Sequence, residues 1–254
     1  MPHRSWQSRE YAATVQLHEF QATANLAQPH HGLTDVSVAG QLFPAARLLG
    51  IAASSTAVTA CNSPTEHYVR GTDLIASYEE AGQWPIRVDC LWRATAPVAI
   101  ERFLAALDLV VSVRAHALDS HPELAVSSVL PANEVLRLQS LGPDGWAPLC
   151  LTTATSTTIG PDSGTGCLLF RMPGSDLSYV EMVHPADFQC DEFPRDESRE
   201  DIVCTTHRLF RTNLEKGVIL RARVRGIFLK RSDDRKIAAQ CYAAFAGADP
   251  PLGA

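Results

Sequence analysis

The chain of 254 residues contains no stretch of about 18 consecutive apolar residues, which argues against a membrane-spanning helix. It has no basic surplus: 22 Lys and Arg face 28 Asp and Glu, for a formal net charge of −6. Non-specific nucleic-acid binding draws on basic side chains, so no nucleic-acid partner is expected. No Cys-x-x-Cys pair occurs among Cys61, Cys90, Cys150, Cys167, Cys190, Cys204 and Cys241. Their odd number and wide spacing argue against a zinc ribbon or a redox motif, and point to reduced, mostly buried thiols. The phosphate-cradling Gly-x-x-x-x-Gly-Lys, the Gly-x-Ser-x-Gly elbow and the His-Glu-x-x-His zinc motif are also missing. No metal and no cofactor is therefore expected. The first ten residues lead into no apolar core of a secretory leader, so the expected compartment is the cytoplasm.

Period-two alternation is abundant. Ile86, Val88, Cys90 and Trp92 fall on one face of a strand, with Arg87, Asp89, Leu91 and Arg93 opposite. From 218 to 228, Val218, Leu220, Ala222, Val224 and Phe228 oppose Ile219, Arg221, Arg223, Arg225 and Ile227. Leu109 to Leu118 alternates in the same way. Further strands are expected at 13–24, 34–38, 56–61, 67–78, 125–130, 135–138, 167–171, 177–183 and 202–210. Gly, Pro, Asn and Asp turns separate many of them.

Two segments read as helices. Pro97 precedes Ile100, Phe103, Leu104 and Leu107 at i, i+3, i+4, i+7 spacing. Near the C-terminus, Ser232 offers an N-cap, Asp233 and Asp234 favour a first turn, and Gly247 offers a stop. The expected fold is all-β and mainly antiparallel. It is a large β-sandwich, with an internally duplicated supersandwich as its extended form, carrying two short helices at about 98–107 and 233–246.

The duplication reading rests on an echo. Gly71-Thr72-Asp73-Leu74, Pro85 and Cys90 are answered by Gly174-Ser175-Asp176-Leu177, Pro185 and Cys190. One domain over 1–254 is expected, with candidate repeat halves of about 11–120 and 121–230.

Four constellations carry chemistry. Glu181-x-x-His184-x-x-Asp187 places a base and an acid in one segment, with Glu181 as candidate catalytic base, His184 as acid and Asp187 beside them. An odd separation puts Glu181 and His184 on opposite faces of a continuous strand, so the pair needs a bend between them. Arg221, Arg223 and Arg225 form a row of guanidiniums suited to carboxylates or phosphates, and equally to acids on a neighbouring strand. Arg70 and Asp73, with Tyr68, Tyr78, Trp84 and Trp92 near in sequence, suit a sugar ring, although Trp92 shares a face with core residues. His116, Asp119 and His121, together with His30 and His31, fit no zinc spacing and read as surface histidines. The segment 191–201 carries six acids and two arginines and reads as a solvated loop.

These residues point to a protein that binds or epimerises a carbohydrate or acidic sugar by acid–base chemistry alone. Its partner would be a sugar-like or anionic small molecule, with no membrane involved. The alternative is a non-catalytic β module that meets another protein. The step from β fold to sugar is analogy, because a fold does not fix a function.

Overall fold

A computed structural model describes residues 6–53, 63–79, 86–96, 103–115, 124–151, 157–194, 201–210 and 213–249. Alternating side chains give these segments two sheets. The ten-stranded sheet runs β1 (Trp6–Arg9), β2 (Ala12–Gln16), β3 (Phe20–Asn25), β4 (Leu33–Val38), β6 (Arg47–Ala53), β11 (Leu124–Pro131), β18 (Ile202–Arg208), β17 (Cys190–Phe193) and β14 (Thr157–Ile159), with β5 (Gln41–Phe43) paired to β4. The nine-stranded sheet runs β13 (Trp146–Pro148), β12 (Glu134–Leu138), β15 (Cys167–Arg171), β16 (Leu177–Val183), β19 (Ile219–Lys230), β10 (Phe103–Arg114), β9 (Arg87–Thr95), β8 (Asp73–Tyr78) and β7 (Glu66–Arg70). Strands from residues 6–114 and strands from residues 124–230 meet at two antiparallel seams, β6 with β11 and β10 with β19.

The large core lies between the sheets. Ile86, Val88, Cys90 and Trp92 enter it together, as do Ala222, Val224 and Phe228. These are the faces that the alternation assigns. A second apolar cluster lies on the outer face of the nine-stranded sheet, the face turned away from the other sheet. There α1 (Asp234–Ala246) lays Ile237, Ala238, Tyr242 and Phe245 over Val180, Met182, Ile227 and Leu229. Asp234 anchors the start of α1: it accepts two hydrogen bonds from Arg171, at 2.9 and 3.0 Å, and one from Ser178 at 2.8 Å. The cap position is Asp233, one residue beyond the Ser232 suggested by the sequence.

The helix expected at 98–107 is a correction. Residues 97–102 lie outside the described set, and Phe103–Arg114 is the long strand β10. The spacing of Phe103, Leu104 and Leu107 suits a helix, but Ala105, Leu107, Leu109, Val111 and Val113 form a period-two row that fills the core. Strands β9 and β19 hydrogen-bond β10 on both sides, and that pairing overrides the local pattern. The candidates at 13–24 and 67–78 are each hairpins, β2–β3 and β7–β8. The candidate at 56–61 lies outside the described residues. Gly71 and Gly174, the starts of the sequence echo, both take positive φ, 61° and 63°, in the turns β7–β8 and β15–β16. Beyond those turns the two copies diverge: Cys90 lies in the nine-stranded sheet and Cys190 in the ten-stranded one.

Candidate ligand site on the outer sheet face

Glu181 lies on the inner side of β16 and has no exposed surface. One carboxylate oxygen accepts from Ser128 of β11 at 2.6 Å and from Tyr179 at 2.7 Å. The other is 2.7 Å from Nε2 of His207 on β18. His207 Nδ1 is 2.6 Å from Asp191 of β17, and the second oxygen of Asp191 accepts from Arg137 of β12 at 3.2 Å. Arg137 also donates to the carbonyls of Gly160 and Gly164. Burial alone disfavours a charged imidazole, but the carboxylates of Asp191 and Glu181 outweigh it and raise the His207 pKa to about 10. A cationic His207 donates from both ring nitrogens, which matches its two acidic partners. Gly226 stands opposite Glu181, where a Cβ would run into the ring and hydroxyl of Tyr179. The cluster ties both sheets together and leaves Glu181 no surface for a ligand.

His184 does not meet Glu181. Strand β16 is continuous up to Val183, so the odd separation turns His184 to the outer side. There its Nδ1 accepts from the Ala186 N–H at 3.3 Å, and its ring stands edge-on to Phe245 at 5.6 Å. Burial first, and the nearby Arg223 charge second, lower its pKa. Asp187 accepts the Arg223 backbone N–H at 2.9 Å, and burial raises the pKa of its carboxyl.

Strand register assembles the outer face into rows. One row is Arg70, Asp73, Arg93, Asp108 and Arg225, side by side on β7, β8, β9, β10 and β19. The next is Tyr68, Ile75, Leu91, Val110 and Arg223. A third is Glu66, Ser77, Asp89, Ser112 and Arg221. Ile75, Leu91 and Val110 thus make an apolar strip between two polar borders.

In the first row the ion pairs are bidentate. Arg93 donates to Asp73 at 2.7 and 2.8 Å, and Arg225 donates to Asp108 at 2.6 and 3.0 Å. The Arg93 hydrogen bonds hold the Asp73 pKa below its ordinary value, against the opposing effect of burial. Arg221 donates to Ser112 at 3.1 Å. The Arg223 guanidinium donates to the carbonyls of Ala248 and Asp249, at 3.2 and 3.0 Å. A cavity of about 170 Å³ opens above Leu91 and Val110, between Arg93, Asp108, Arg223 and Arg225, and Phe245 closes one side.

Of the residues singled out in the sequence, Arg223 and Arg225 border this cavity, Asp73 braces its Arg93, and Arg70 and Arg221 lie in the bordering rows. Trp92 and Tyr78 are core residues, and Tyr78 donates to the Leu26 carbonyl at 2.9 Å. His116, Asp119, His121 and Trp84 lie outside the described residues. No group of three potential ligands for a metal occurs among the described residues.

The solvated reading of 191–201 is corrected at its start. Asp191 is fully buried in β17, and Glu192 pairs with Arg208 at 2.9 Å. Sequence reasoning missed His207, Asp191, Arg137, Ser128 and Tyr179 inside, and Arg93 and Asp108 outside. One signal was present: Glu181 alternates with Leu177, Tyr179 and Val183, an inward row.

The two-sheet antiparallel fold is shared with solved structures that include a galactose mutarotase-like protein. The structure is similar to a galactose mutarotase-like protein from Lactobacillus casei, with a TM-score of 0.58 at 9% identity over 85% of this chain and 99% of that one. It is similar to a provisionally assigned aldose 1-epimerase from Klebsiella pneumoniae, with a TM-score of 0.58 at 8% identity over 96% and 87% of the two chains. A provisionally assigned mutarotase from Salmonella typhimurium gives 0.55 at 9% identity over 89% and 93%. No protein-family model and no curated protein matches the sequence. At these identities the likeness concerns the fold.

Proposed function

We propose that the protein binds a small acidic saccharide on the outer face of the nine-stranded sheet. The observation that carries this reading is the apolar strip beneath the 170 Å³ cavity, bordered by paired Arg and Asp side chains. A sugar ring offers C–H surface to such a strip and hydroxyl groups to its borders. Asp108 accepts hydroxyl protons, and Arg93 and Arg225 donate to hydroxyl or carboxylate oxygens. The cavity is lined by three guanidiniums, of Arg93, Arg223 and Arg225, and two carboxylates, of Asp108 and Asp249. That arrangement favours a ligand with a single negative charge, such as a uronic acid. The similar folds named above support a carbohydrate ligand. Binding is favoured over turnover by Glu181 and His184, because Glu181 is sealed in the core and His184 lies on the opposite face.

The test is calorimetric titration with D-glucuronate and D-glucose. D-Glucuronate is expected to bind with a Kd of about 1 mM or tighter, and D-glucose about tenfold more weakly. The Arg225→Gln variant is expected to lose the preference for the acid. Absence of D-glucuronate binding, or binding unchanged in Arg225→Gln, would overturn the reading.

A further inference from the structure

The cavity over Leu91 and Val110 has a neighbour of about 300 Å³ that shares Asp108 and Arg225 with it. Strand register relates the two. Thr95, Ala106 and Ile227 lie side by side on β9, β10 and β19, and form the next outward row beyond Arg93, Asp108 and Arg225. The first cavity covers the row of Leu91, Val110 and Arg223 and the row of Arg93, Asp108 and Arg225. The second covers Asp108 and Arg225 again and the row of Thr95, Ala106 and Ile227, with Ile237, Gln240 and Ala244 of α1 along its side. Rows two residues apart along a strand are separated by about 7 Å. The two cavities are therefore successive steps of one trough, which follows β10 beside α1.

The two steps are lined alike. Apolar Leu91 and Val110 in the first are matched by Phe103, Ala106 and Ile227 in the second, and polar groups accompany them in each. Thr95 and Gln240 line the second cavity and not the first, and both are neutral and exposed. A hydroxyl and an amide both donate and accept, which suits sugar hydroxyls and adds no charge to attract a second anion.

We propose that the ligand is an acidic disaccharide unit, with a uronic acid ring in the 170 Å³ cavity and a neutral pyranose linked to it in the 300 Å³ cavity beside α1. The linkage crosses the Asp108–Arg225 pair, which both cavities share. The row spacing of about 7 Å is of the order of the separation between two linked pyranose rings. This inference rests on the saccharide-binding reading above and extends its ligand from one ring to two.

The test is calorimetry on the intact protein with D-glucuronate, methyl β-D-glucuronide and two β-linked disaccharides of D-glucose and D-glucuronate. One disaccharide carries the acid at its non-reducing end and the other at its reducing end. At least one of them is expected to bind about tenfold tighter than D-glucuronate, because the second ring removes further C–H surface from water. Methyl β-D-glucuronide has the glycosidic oxygen without a second ring and is expected to match D-glucuronate. Ala244 is exposed on α1 and lines only the second cavity, and leucine is nearly as good a helix former as alanine. Ala244→Leu is therefore expected to fold, to abolish the disaccharide gain and to leave D-glucuronate affinity unchanged. Gln240→Ala is expected to reduce the same gain about threefold.

The outcomes separate. If D-glucuronate binds and neither disaccharide binds tighter, or the methyl glycoside shows the whole gain, the second ring site is overturned and the saccharide site stands. If D-glucuronate does not bind, the saccharide reading falls and this inference falls with it. A disaccharide gain that survives both Ala244→Leu and Gln240→Ala puts the second ring elsewhere and also overturns the inference.

Discussion

Between the sheets, His207 touches Glu181 and Asp191, and the side chains of all three are 0% exposed. On the outer face, the Asp108–Arg225 pair keeps 18% and 32% of its side-chain surface exposed and borders two cavities. Both regions join carboxylates to cations on neighbouring strands. In the interior, Glu181, His207 and Asp191 are each committed to other protein groups, so the cluster braces the sandwich and offers no open surface to a ligand. On the outer face, the ion pairs hold each side chain in place while leaving donor and acceptor edges open to a cavity. Burial, more than residue type, separates a brace from a binding surface.

The largest effect is expected from breaking the interior cluster. His207→Leu leaves two buried carboxylates without their shared cation and is expected to cost about 3–5 kcal/mol in urea unfolding. A loss under about 1 kcal/mol would show that the cluster is not a brace. The pH dependence comes next. The folded pKa of His207, about 10, lies above its ordinary 6.5, so its contribution is fully present below about pH 6.5. That contribution is lost as pH rises towards 10, at up to about 1.4 kcal/mol per pH unit. Unfolding free energies measured from pH 6 to pH 10 should fall in the wild type and flatten in His207→Leu. Parallel curves would reject the assignment.

The smallest stability effect is expected on the outer face. Asp108→Asn removes one charge of a partly solvated pair and should cost about 1 kcal/mol or less, while strengthening D-glucuronate binding several-fold relative to D-glucose, because Arg225 is no longer neutralised. A large loss of stability with unchanged affinity would make this pair structural as well and erase the contrast between the two regions.

The strands and their faces were legible because alternation is local. The inward rows 86–92 and 222–228, and the common outward side of Arg221, Arg223 and Arg225, follow from a repeat of two residues. The odd spacing of Glu181 and His184 already put them on opposite faces, and the continuous β16 keeps them there. The segment around 103–107 was not legible, because Phe103, Leu104 and Leu107 fit a helix as well as a strand. Asp191 was hidden by its setting, since five of the six acids in 191–201 follow it and make the segment read as solvent-facing. Arg93 and Asp108 carried no signal of partnership, because nothing local links residues 93, 108 and 225.

The sequence by itself determined that the chain forms many antiparallel strands, which side chains each turns inward, and where one C-terminal helix lies. Only the tertiary structure decided which strands are neighbours and in what register. That decision placed His207 between Glu181 and Asp191, and Asp108 between Arg93 and Arg225. The reason is one of range. Side-chain alternation is set by the pleat within each strand, whereas register comes from filling a common core with residues a hundred or more positions apart.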